Sequence, residues 1–178
     1  MNEDQERIDD EIEADGDIRV WTRPDDMSVE EFMSLPPHEL PPPEYETHNI
    51  VLNQFWSDLQ NVMLQGSGTV SLAISILVLG TGVVSSVART DTTLVTEWRR
   101  YPLISGLLVT TDPPTMIASF FIPAADGAQT ITEVGLAYAG ATTAPSSGKL
   151  ATHAIFSYDK PNNQDVRLDY SIARSTTS

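Results

Sequence analysis

The sequence predicts a mainly β protein, an antiparallel β-sandwich with one or two short flanking helices and an extended N-terminal arm. Three observations lead there. From residue 70 onward, short apolar runs are separated by turns rich in Gly, Pro and Asn, the spacing of an antiparallel all-β domain. Near the C-terminus, Val166, Leu168, Tyr170 and Ile172 alternate with Arg167, Asp169, Ser171 and Ala173, giving one buried and one wet face. Charge is also divided unevenly, with sixteen of the 25 acidic residues but three of the ten basic ones in residues 1–50, so that this segment carries −13 of the net −15. A length of 178 residues suits one domain plus an appendage, divided here into an arm, 1–46, and a β-domain, 47–178.

Residues 1–17 are so acidic and so poor in apolar side chains that burial cannot offset their ordering entropy, and a disordered tip is expected. Residues 18–46 mix acids and six prolines with apolar side chains. Trp21, Met27, Phe32, Met33, Leu35, Leu40 and Tyr45 are the residues expected to dock this arm onto a neighbouring subunit. Ser28 and Glu31 form a capping box ahead of Phe32, and Pro36-Pro37 would end that short helix. Residues 49–65 read as an amphipathic helix, with Leu52, Phe55, Trp56, Leu59, Val62 and Met63 on one side. Thr47 or Asn49 is its expected cap and Gly66 its stop.

After Gly66-Ser67-Gly68, a strand is expected over 70–79, followed by the turn Gly80-Thr81-Gly82. Leu72 to Val84 is too short and too interrupted for a membrane span. Leu94, Val95 and Trp98 suggest a second short helix over 90–100, stopped by Pro102. Further strands are expected at 103–111, 115–122, 129–138, 149–158 and 165–173, with Asp112-Pro113-Pro114 as a turn and 139–148 as a surface loop.

Composition excludes several classes of function. Lys and Arg are not clustered, as phosphate binding requires, so no nucleic-acid partner is expected. The absence of cysteine removes disulfides, thiolate nucleophiles and thiolate metal sites. The start of the chain lacks the basic and apolar regions of a signal peptide, and assembly in the cytoplasm is expected. His38, His48 and His153 have no metal-ligand partner at short spacing, and no nucleophile elbow, HExxH or phosphate loop is present. No catalytic, cofactor-binding or metal-binding residue is therefore assigned. Two carboxylates stand out because their surroundings are apolar, Glu97 and Glu133, and each needs a cation or a route to solvent. A structural bridge from one of them to Arg99 or Arg100 is expected.

Leu79-Gly80-Thr81-Gly82, Thr90-Asp91-Thr92-Thr93-Leu94-Val95-Thr96-Glu97-Trp98-Arg99 and Ile131-Thr132-Glu133-Val134-Gly135-Leu136 occur in that order, followed by an alternating terminal strand. This series resembles a family of virion proteins of phages and archaeal tailed viruses, similar to tail-collar or tail-fibre attachment domains. The likeness covers about residues 48–174, with Gly80, Gly82, Glu97, Arg99, Glu133 and Gly135 as its structural motif. The chain departs from the family's pattern at Ala137, where Phe is common, and the acidic arm lies outside it. The resemblance implies a non-enzymatic structural component of the virion, at the tail or neck. It also implies assembly as a homo-oligomer, a trimer ahead of a pentamer or hexamer, in contact with other virion proteins and with no cofactor.

The alternatives are a capsid-surface turret or decoration protein, or a receptor- or glycan-binding module. The last would use the 139–148 loop with Tyr138 and Tyr158. A depolymerising enzyme would need two rigidly held carboxylates, and the β-domain offers few.

Overall fold

The structure is a computed structural model that describes residues 14–65, 70–109 and 115–174. The acidic tip before residue 14, the Gly66-Ser67-Gly68 segment and the Asp112-Pro113-Pro114 turn lie outside the described residues. Nine strands are described: β1 (Ala14–Thr22), β2 (Tyr45–Val51), β3 (Ile76–Gly80), β4 (Glu97–Val109), β5 (Thr115–Ile122), β6 (Gln129–Tyr138), β7 (Lys149–Leu150), β8 (Thr152–Lys160) and β9 (Val166–Arg174). Two helices, α1 (Val29–Ser34) and α2 (Asn53–Gln65), accompany them.

The strands run antiparallel in the order β3-β4-β5-β9-β1-β2-β8-β6, and β6 pairs back onto β3. The sheet is therefore a closed eight-stranded barrel with β7 attached to β6, and not the expected sandwich. At eight strands a barrel is just wide enough for its own side chains to fill it. Ile18, Val20, Leu77, Leu79, Phe120, Leu136, Phe156, Leu168 and Tyr170 belong to that buried filling.

The sandwich expectation failed because closure depends on β1, which was placed in the arm, and on β2, which straddles the expected boundary. β1 pairs with β9 on one side and β2 on the other, and β2 pairs with β8. The expected boundary at 46/47 falls within β2. Gly16, Ile18 and Val20 are buried while Asp17 and Arg19 are not, so β1 alternates as a barrel strand should despite its acids.

Of the residues expected to dock on a neighbour, Trp21 and Tyr45 lie on barrel strands of this chain and Phe32 lies on α1. Trp21 is 2 % exposed and donates from Nε1 to the Pro41 carbonyl at 2.7 Å. Phe32 is buried, and Tyr45 meets Phe156 edge-on at 4.9 Å. Met27, Met33, Leu35 and Leu40 are half-buried. The N-cap half of the expected capping box forms, with Ser28 Oγ accepting from the Glu31 amide at 3.2 Å.

Two further boundaries differ. Residues 49–51 continue β2, so the helix starts at Asn53 and neither Thr47 nor Asn49 caps it. The helix expected over 90–100 is absent: from Glu97 the chain is already β4, paired with β3, which tertiary pairing favours over local helical spacing. β3 is buried along its whole length because a second cluster covers its outer face. There Ile76 and Val78 pack with Leu52, Leu94, Ala137 and Leu150. A strand buried on both faces reads as a continuous apolar run, as Ile76–Leu79 does.

Candidate functional site, a buried carboxylate clamp

Two of the motif glycines, Gly80 and Gly82, lie against a third motif residue, Glu133. Its side chain is fully buried on β6, beside a register shift between Ile131 and Glu133 and opposite a second shift between Leu79 and Gly80. Irregularities of this kind re-aim side chains out of the regular alternation. The Glu133 carboxylate accepts three backbone N–H groups. Oε1 takes Gly82 at 3.2 Å and Thr96 at 2.8 Å, and Oε2 takes Val95 at 2.8 Å. Both ends of the 81–96 loop are thereby fixed by one side chain.

The glycines are explained by proximity. A Cβ on Gly80 would lie 2.5 Å from Glu133 Cγ, and one on Gly82 would lie 2.6 Å from Oε1 and 2.7 Å from Val95 Cβ. A Cβ on Gly135 would lie 2.5 Å from the Thr152 carbonyl oxygen. All three leave room for a neighbour rather than supplying an unusual backbone angle.

His153, 2 % exposed, connects the clamp to the middle of the same loop. Its Nδ1 lies 2.8 Å from Asp91 Oδ2, and its Nε2 lies 3.4 Å from Glu133 Oε2 without forming a hydrogen bond. Asp91 also accepts from the Ala88 amide at 2.9 Å. That backbone bond, followed by the His153 contact, holds its carboxyl below the usual carboxylate range against the opposing effect of burial. The order Asp91, His153, Glu133 has the look of a proton relay, but both ring nitrogens face carboxylates and the imidazole is closed to solvent. These contacts hold the 81–96 loop in place.

The expected bridge forms from Glu97 and not from Glu133. Arg100 donates from Nε and NH2 to the two Glu97 oxygens at 2.8 and 2.9 Å, and from NH1 to the Ser147 carbonyl at 2.6 Å. This arginine fastens the 139–148 loop. Arg99 instead pairs with Asp126 and lies over the Trp98 ring at 5.4 Å. Tyr138 and Tyr158, the aromatics named for the glycan-binding alternative, are buried.

A second buried ion site had no place in the sequence reading. Arg167 and Asp169, expected on a wet face, are 2 % and 4 % exposed because α1 covers that part of the outer surface. Arg167 binds Asp169 through two nitrogens at 2.8 and 2.9 Å and donates from NH1 to the carbonyls of Phe32 and Leu35 at 3.0 and 2.7 Å. It therefore caps the end of α1. The only signal in the sequence was an i, i+2 charge pair on one strand face.

Elsewhere on the outer face, a hollow of about 820 Å³ is lined by Asp17, Arg19, His48, Ile50, Ile117 and Ser171, among others. Its polar side chains already have partners, His48 Nδ1 lying 2.9 Å from Asp17 and Arg19 pairing with Glu46 at 2.8 Å. Among the described residues no group of His, Asp and Glu is arranged to hold a metal ion, and no helix is long and apolar enough to cross a membrane. Comparison with known proteins found no matching family model, no matching curated protein and no matching solved structure.

Proposed function

We propose that this chain is a non-enzymatic structural component of a tailed virus particle, a tail or neck collar or a fibre-attachment protein, that works as an oligomer in contact with other virion proteins. The supporting observation is the use made of the three motifs that carry the resemblance. Gly80, Gly82 and Glu133 are occupied in holding the 81–96 loop, and Glu97 is occupied by Arg100. A motif whose charged groups are engaged by the fold suits a structural part.

The test is localisation in purified particles, using an antibody against the exposed 24–44 excursion. Gold label at the tail or neck supports the proposal, and label at capsid vertices moves the protein to the turret alternative. A protein found in infected cells but missing from particles would overturn both.

A further inference from the structure

Helix α2 turns to solvent a stripe that includes Asn53, Ser57, Gln60, Asn61 and Leu64. Met63 beside it is 74 % exposed, and Leu64 is 85 % exposed. A surface helix usually directs its charged side chains outward. Here the only charged residue of the helix, Asp58, is turned back onto the barrel, where it accepts from Tyr138 Oη and Lys149 Nζ, each at 2.7 Å. The outward face therefore carries amides, a hydroxyl and two large apolar side chains, and no charge at all.

In a chain of net charge −15, that neutrality selects the partner. Two copies approaching through their acidic surfaces repel one another. Through α2 they do not. Side-chain amides both donate and accept, so the stripe is complementary to itself across a symmetry axis. Loss of charge with Met at the centre is also the composition of an interface core. The other apolar groove, about 360 Å³ between α1 and the β4–β5 face, is lined by Val29, Met33, Ile104 and Phe121 but also by Glu30. Glu30 is exposed, so two copies meeting through this groove would bring like charges together, and a second copy is disfavoured there.

We propose that copies of this chain meet through the exposed face of α2, helix against helix, with Met63 and Leu64 at the centre of the contact. This inference rests on the assembly reading above and replaces the N-terminal arm with α2 as the element that makes the oligomer.

Light scattering on the full chain and on Met63→Glu/Leu64→Glu tests it, because both side chains are exposed and the substitutions add charge without touching the barrel. The wild type should give a multiple of 19.5 kDa, and the variant the monomer mass with an unchanged circular dichroism spectrum. The lack of native cysteine allows an independent check. Under mild oxidation Asn61→Cys should cross-link to a second copy, while Glu30→Cys on α1 should not. An intact oligomer in the double variant, with no cross-link at position 61, overturns this inference and leaves the assembly reading standing. A monomeric wild type overturns both.

Discussion

Two buried ionic groups on opposite sides of the charge scale do the same job in this barrel by different means. Glu133 holds the 81–96 loop by accepting three backbone N–H groups, and Arg167 holds the end of α1 by donating to two backbone carbonyls. Arg167 has a two-point ion pair with Asp169, whereas Glu133 has only the edge of His153 at 3.4 Å. The arginine's charge is balanced by its partner, and its carbonyl bonds come in addition. The glutamate relies on the backbone dipoles themselves. Removing either one should leave buried groups without partners, but only the arginine site can be made neutral by changing its pair together.

The largest expected effects follow from that contrast. Glu133→Ala strands three loop amides in a closed site and should cost about 3–5 kcal/mol, read as a lower urea midpoint at constant m-value. Arg167→Ala leaves the Asp169 carboxylate buried without its cation, at a similar cost of about 3–5 kcal/mol. Arg167→Met combined with Asp169→Leu should recover most of that loss, since an apolar pair can replace a buried ion pair at little cost. The double variant still lacks a donor for Phe32 and Leu35, so proteolysis within 24–44 should quicken even when global stability returns. If it does not quicken, Arg167 is not the fastening of α1.

A smaller effect is expected at Gly80, where the Cβ of Gly80→Ala would press on Glu133 Cγ and cost about 1–3 kcal/mol. In that background Glu133→Ala should add less than it does alone, because the two changes share one contact. Ser28→Ala removes the cap of α1 and should cost about 1 kcal/mol, concentrated in α1 rather than spread over the barrel.

Acid provides the mildest perturbation. Lys149, then Tyr138, hold the Asp58 carboxyl below its ordinary value of 3.8 through side-chain hydrogen bonds. A depressed folded-state value means that this contribution to α2 docking is complete above the ordinary value and is lost as pH falls through the lower one. Through that range the melting temperature should fall with pH more steeply for the wild type than for Asp58→Asn.

The difference between the two sites also governs how much could be read from the sequence. β5 and β6 fall at the expected residues, and β9 turns Val166, Leu168 and Tyr170 into the core as expected, though its other face is not wet at Arg167 and Asp169. The Gly80-Thr81-Gly82 turn and Glu133 were visible as motif residues. Their connection was not, because it runs through backbone amides, which carry no side-chain signature. β1 was hidden by composition: Ile18 and Val20 alternate correctly, but Asp15, Asp17 and the acids before them made an exposed arm the natural expectation. The strand at Glu97–Val109 was obscured because Leu94 and Trp98 also fit a helical spacing, and only pairing with β3 decides between the two. Arg167 looked solvent-facing because nothing local shows that residues 28–35, far back in the chain, return to cover it.

Native-state hydrogen exchange at the amides of Gly82, Val95 and Thr96 tests the carboxylate clamp most directly. In the wild type all three should exchange as slowly as the central barrel amides, and Glu133→Gln should speed these three selectively while β9 stays protected. Fast exchange in the wild type, or protection unchanged by the substitution, would contradict the assignment of Glu133 as the residue that holds the loop.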